Sequence, residues 1–243
     1  MKVFLILGLL VGSAVLARQA KEGDKDVNYD ESKVPAYDLP ELLVTVEGKR
    51  ITTAEEWRTV RRPQIMSLFS NLVYGRVPEP STPLKITFGE VKRDENFMGG
   101  KATRKDVDIQ LKTERGEKTM RIVVYVPNGA KKPVPAIMKH SFNNTRSDDF
   151  DRAFLNKDCL KNGWPLGKIL DAGFAFCAVY HEDLVGHNEV EFRNSIHGLF
   201  YPKGQSFPKA QEWGVLAACA WGGTRALDYL ETDGDIDAKR VAV

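Results

Sequence analysis

Cysteine is scarce: the 243 residues hold only Cys159, Cys177 and Cys219. An odd and sparse set excludes the disulfide framework of small exported domains. There is no Cys-x-x-Cys, no Gly-rich phosphate loop and no H-E-x-x-H, so the common sequence signals for zinc and for nucleotide phosphates are missing. Charge of one sign is also lacking. Lys and Arg number 35 against 33 Asp and Glu, a net charge of +2, and the basic residues are scattered, which excludes a nucleic-acid stripe. Long hydrophobic runs are absent. The apolar stretch from Val3 to Leu16 falls short of the ~20 residues a spanning helix needs, and no other segment comes closer. Internal repeats are absent too.

What is present is an ordinary globular composition, 28% charged and 42% hydrophobic. One domain of about 200 residues fits this length and can build a core. The start Met1-Lys2, the apolar run and the small residues of Val15-Leu16-Ala17 read as a secretory signal peptide over residues 1–17. The expected location is therefore secreted or periplasmic. Residues 18–40 are polar, with two prolines, and read as an N-terminal arm. Residues 41–243 form the expected domain. Cys177 and Cys219 fall in apolar segments and are expected as buried thiols; Cys159 could pair with either.

Along the domain, Leu42 to Val46 is strand-like and turned by Gly48. Thr53-Ala54-Glu55-Glu56 is a capping-box signature that predicts a helix carrying Trp57. Ile65, Leu68, Phe69 and Leu72 recur at helical spacing and predict a helix packed on the body, with Gly75 suited to its C-cap. Three strands follow, over Leu84–Val91, Thr103–Leu111 and Met120–Val126, the last two joined by a hairpin turn centred on Gly116. Pro135 to His140 is the next strand. Pro165 to Leu170 suggests a short helix, and Gly173 to Tyr180 a buried strand. His181 to Pro208 is expected as a long, functional loop. A long helix from Trp213, interrupted by Gly222-Gly223, precedes the turn Thr232–Asp235 and a buried parallel strand, Arg240 to Val243. The fold class is α/β, with an antiparallel start and then parallel strands with helices on both faces.

The loop from Ser141 to Asp149 follows a parallel strand, at the edge where α/β sheets bind ligands. His140 at that strand's end could line a pocket or be a satisfied, partly buried histidine. Asn143-Asn144-Thr145 also matches a glycosylation sequon. His181-Glu182-Asp183 with His187 looks metal-like, but the spacing is wrong, and no metal site is assigned. Ser195 and His197 are near neighbours, which proves little, because triads are assembled across a fold. No G-x-S-x-G nucleophile turn occurs anywhere. No catalytic residue is assigned.

Several segments together resemble the bacterial glucuronoyl esterases. They are Trp57 to Pro78, with Arg61-Arg62-Pro63 and Tyr74-Gly75-Arg76-Val77-Pro78; Trp213-Gly214 with Ala220-Trp221-Gly222; Arg225 to Asp233; and Asp237 to Val243. The resemblance covers roughly residues 38 to 243. It implies a partial α/β-hydrolase sheet, truncated before the nucleophile turn. In the family that turn brings a Ser and an oxyanion-stabilising Arg directly after the strand that here ends at Val243, so a Gly, one residue and then Ser-Arg are expected to follow. The family's loop after the strand ending at His140 is of an Asn-Phe-x-Gly-Asn-His type. Here it is Ser141-Phe142-Asn143-Asn144-Thr145, of which Phe142 and an Asn match; Phe142 and Asn143 are the implied substrate-binding residues.

The implied activity is hydrolysis of 4-O-methyl-glucuronoyl esters between xylan and lignin, by a Ser-His-acid mechanism whose triad is absent from these residues. No metal or organic cofactor is implied. The implied partner is the lignin-carbohydrate ester substrate. No nucleic acid is expected, and no membrane after leader removal; the full-length protein is expected to be a monomer. Alternatives are an acetyl-xylan or other carbohydrate esterase, and a non-catalytic secreted carbohydrate-binding domain.

Overall fold

A computed structural model describes residues 28, 30–78, 83–142, 145, 165–186, 189–202 and 204–243. The expected leader, residues 1–17, and the arm up to residue 27 lie outside the described residues, as do Asn143, Asn144, Cys159 and His187. The chain divides into two compact units, Met1–Trp57 and Arg58–Val243.

In the first unit, a 3-10 turn at Glu31–Lys33 is capped by Asp30, whose carboxylate accepts from the Ser32 amide at 3.1 Å. Val44 and Arg50 form an antiparallel bridge around Gly48. Helix α1 is a single turn, Ala54–Glu56. The Thr53 hydroxyl accepts from the Glu56 amide at 3.1 Å, as the capping signature requires. The return bond shifts by one residue: the Glu56 carboxylate takes the Thr52 amide at 3.0 Å. That bond, with Lys49 beside it, holds the Glu56 carboxyl down to about 2.

A π-helical turn, Trp57–Arg61, leads to helix α2, Arg62–Leu72, with Pro63 in its first turn where no amide is needed. The expectation that α2 packs on the body fails: none of its residues is buried, and Leu72 is 76% exposed.

Among its described residues, the second unit is built on a mixed sheet of seven strands: β1 (Lys85–Phe88), β2 (Lys92–Asn96), β3 (Ala102–Thr113), β4 (Gly116–Pro127), β5 (Val134–Ser141), β6 (Ala175–Tyr180) and β7 (Ile236–Ala242). The order is β1-β3-β4-β6-β5-β7, with β2 also on β3. Pairing is antiparallel from β1 through β4 to β6 and parallel from β6 to β5 and from β5 to β7. The antiparallel start and parallel continuation agree with the sequence. Strand β2 was not anticipated. Its residues Lys92-Arg93-Asp94-Glu95-Asn96 are all exposed, and backbone pairing to β3 holds it without an apolar face.

Continuous apolar runs in β4 and β6 reflect burial on both faces. Ile122, Val124, Cys177 and Val179 point into one core, with residues of the final helix. Val123, Tyr125, Phe176 and Ala178 point into the other, against helix α3 (Leu166–Asp171). Period-two alternation therefore sorts one strand between two cores. The expected loop from His181 to Pro208 carries short helical pieces among its described residues. It contains 3-10 turns at His181–Asp183 and Ile196–Leu199 and helix α4, Glu189–Asn194.

Helix α5 runs unbroken from Val215 to Leu230, so Gly222-Gly223 do not interrupt it. They mark close approach. A Cβ at Gly222 would collide with the Leu184 side chain, and one at Gly223 would lie 3.2 Å from His140 Nε2. Strand β7 begins at Ile236, four residues before the expected start, and runs parallel to β5. It is not buried as expected: Arg240 and Ala242 are exposed, because β7 lies at the end of the strand order.

Candidate active site

Parallel β5 and β6 end side by side, with Ser141 opposite Tyr180. The residues at these ends meet helix α5, which crosses the same edge. His140 comes from the end of β5 and His181 directly follows β6. Cys219 Sγ of α5 lies 3.3 Å from His181 Nδ1. The Phe142 ring lies over His181, with centroids 4.5 Å apart, and is itself 70% exposed. The outcome is a shelf with a buried imidazole and thiol beneath and an aromatic ring on top.

Glycine makes this packing possible. Without side chains at 222 and 223, α5 can settle against Leu184 and His140. The His140 Nδ1 atom is buried and meets no hydrogen-bond partner among the described residues. Burial, with His181 nearby, pushes His140 below the ordinary imidazole value, so the ring is neutral at pH 7. Burial pushes the Cys219 thiol up to about 11, which keeps it from acting as a thiolate nucleophile at neutral pH. Cys177, fully buried in β6, is raised to about 12 by burial and by Asp233; both thiols are free.

The loop after β5 is tied down at Thr145, whose carbonyl accepts from Arg104 Nη2 of β3 at 3.0 Å. Of the two residues implied as substrate-binding, Phe142 sits at the sheet edge, while Asn143 lies outside the described residues.

The segment after β6 is committed to structure. Asp183 takes a bidentate set of hydrogen bonds from Arg121, with Nε–Oδ2 at 2.8 Å. The Arg121 guanidinium also lies 4.7 Å from the Tyr180 ring centre. The Tyr180 hydroxyl donates to Glu182 at 2.6 Å. Among the described residues, no group of three His, Cys, Asp or Glu is placed to hold a metal ion.

Ser195 and His197 do meet, with Oγ and Nδ1 2.9 Å apart. The Ser195 hydroxyl caps the 3-10 turn by accepting from the His197 amide and also contacts the Phe192 carbonyl at 2.6 Å. His197 is fully buried, stacked on Phe192 at 4.0 Å and packed against Trp213. Burial pushes it down to about 4, against the opposing effect of the Trp213 and Gly214 backbone. The pair is a buried core cap.

Two of the sequence segments singled out above meet directly. The Arg76 amide donates to the Gln211 carbonyl, the Trp213 amide to the Arg76 carbonyl and the Gly214 amide to the Tyr74 carbonyl, at 2.8–3.0 Å. Gly75 makes this possible. Its φ is +75°, and any Cβ would run into the Glu212 backbone.

No protein-family model matches the chain. A curated protein named carbohydrate esterase MZ0003, from an unknown prokaryotic organism, is 32% identical over 241 residues, covering 89% of this chain and 54% of its own length. A solved glucuronoyl esterase from Solibacter usitatus is 34% identical with a TM-score of 0.72, over 87% of this chain and 58% of that one. A promiscuous CE15 esterase from a marine bacterial metagenome is 30% identical with a TM-score of 0.64, over 88% and 58%. The chain thus spans a little over half the length of these relatives. No helix among the described residues is long and apolar enough to cross a membrane. In sequence and in the course of its mixed sheet, the chain is similar to the glucuronoyl esterases of carbohydrate esterase family 15 over the part of them that it matches.

Proposed function

We propose that the chain supplies the first part of a secreted esterase that hydrolyses glucuronoyl esters linking xylan to lignin. The observation that carries this reading is the exposed Phe142 ring at the C-terminal end of β5, resting on the His181–Cys219 shelf. Ligands of open α/β sheets bind at that edge. In α/β-hydrolases the loop after this strand donates one backbone N–H to the oxyanion. The proposed reaction is acyl transfer. A Ser activated by a His-acid pair attacks the ester carbonyl, the oxyanion is held by N–H groups and an Arg, and water releases the glucuronate.

The described residues bring together no accessible Ser-His-acid set, so the 243-residue chain alone is expected to show only background hydrolysis. The test is to purify the protein from its native source and assay it on benzyl glucuronate and on acetylated xylan. Expected is a kcat/KM for the glucuronate ester about tenfold or more above that for acetyl release, a margin of ~1.4 kcal/mol in transition-state binding. Preference for acetyl groups, or turnover by the 243-residue chain itself, would overturn the proposal. Export is checked by mass spectrometry of the mature protein, where an intact Met1 would refute removal of residues 1–17.

A further inference from the structure

The face that helix α5 turns to the sheet edge is made of small residues. Cys219, Gly222, Gly223 and Ala226 recur at helical spacing and are all buried. Of the four, only Cys219 has a side chain that can form a hydrogen bond. Its Sγ lies 3.3 Å from Nδ1 of His181, the first residue after β6. Phe142, the first residue after β5, rests on the same imidazole, with centroids 4.5 Å apart and the rings tilted by 45°. His181 is 5% exposed and Phe142 70% exposed, so thiol, imidazole and phenyl ring run in series from the core side of α5 to solvent.

A hydrogen bond to one imidazole nitrogen decides which nitrogen carries the proton. Burial pushes the Cys219 thiol up to about 11, so at neutral pH the sulfur keeps its proton and brings it to the contact. We infer that Cys219 and His181 are positioning residues for Phe142, resting on the esterase function proposed above: the thiol donates to Nδ1, keeps the ring proton on Nε2 and locks the imidazole on which Phe142 sits. In this role neither residue touches substrate; Phe142 does. The position asks for cysteine rather than alanine. Alanine would fit the small-residue face and is the better helix former, but it offers no donor. Serine offers a donor, and its smaller oxygen leaves a wider gap to Nδ1.

The chain has four histidines, so isotope-labelled imidazoles can be followed singly by NMR, with His181→Gln assigning the relevant one. Expected in the 243-residue chain at neutral pH is a His181 protonated on Nε2, with ring protons displaced by the Phe142 ring current. Phe142→Leu should abolish that displacement. Cys219→Ala should free the tautomer and reduce the displacement by about half or more, and Cys219→Ser should lie closer to wild type. Circular dichroism of the variants checks that they are folded, and the wild-type tautomer decides the point even where a variant is not. In the protein from its native source carrying the same substitution, Cys219→Ala should raise KM for benzyl glucuronate about fivefold and hold kcat within about twofold, because only the placing of Phe142 changes. Should that protein hydrolyse no glucuronate ester, the esterase function falls and the spectra still decide the positioning role. A proton on Nδ1 in wild type, or a folded Cys219→Ala variant with wild-type spectra or wild-type KM, would overturn the inference.

Discussion

Two glycines decide how closely helix α5 approaches the sheet. Helix propensity alone favours alanine at position 222 by about 1 kcal/mol. The added methyl would press on the buried Leu184 side chain, and overpacking costs about 1–3 kcal/mol. Gly222→Ala is therefore expected to lower stability despite its better helix former, and urea unfolding measures the net sign. A rise in the midpoint would show that Leu184 has room to move. Neighbouring Gly223 leaves His140 its place at the end of β5, so the same economy of side-chain volume shapes the shelf beneath Phe142.

At the scale of elements, β3 is tied to the turn between α5 and β7 by one buried cation. Lys105 is 0% exposed, and its Nζ lies 2.7 Å from both Asp233 carboxylate oxygens and 2.7 Å from Asp235 Oδ2. Lys132 reaches Asp235 from the other side at 3.1 Å. Lys105→Met would leave the buried Asp233 carboxylate without its counter-charge. The expected loss is about 3–5 kcal/mol, read from the shift in denaturant midpoint. A second replacement, Asp233→Leu, should restore part of it, because an apolar pair carries no unpaired charge. An unchanged midpoint in Lys105→Met would show that the pair contributes nothing to tying β3 to the turn between α5 and β7.

Across the molecule, acid should unfold the chain in two stages. His197 is held at about 4 in the fold, against about 6.5 for a free imidazole, so the unfolded chain takes up the proton first. A lowered histidine stabilises fully above pH 6.5 and loses its contribution as pH falls towards 4, on the order of 3 kcal/mol. Burial alone would raise the Asp235 carboxyl, but hydrogen bonds from Lys105 and Lys132 outweigh it and hold the group below the ordinary value. That contribution is lost below about pH 4. Stability measured against pH should therefore fall between pH 6.5 and 4 and fall again below. His197→Phe should lessen the first slope, leaving the share of His140, which burial also lowers, and should spare the second, since the Ser195 hydroxyl keeps the Phe192 carbonyl. A first slope unchanged in His197→Phe would assign it wholly to another group.

The amino-acid sequence by itself determined whatever depends on neighbours along the chain. The alternation in β3, the apolar runs of β4 and β6 and the Thr53 cap are all local patterns, and each became the element expected, while the hairpin expected to centre on Gly116 turns just before it, with Gly116 already opening β4. The family motifs were legible for the same reason. Strand β2 carried no such signal, because its charged residues are held through backbone bonds that any side chain allows. The apolar stripe of α2 predicted a packed helix, yet periodicity states only that a face is apolar and not what covers it. Only the tertiary structure brought His181 to Cys219 across 38 residues and Lys105 to Asp233 across 128. Such pairs follow from the path of the chain between them, so no local spacing encodes them.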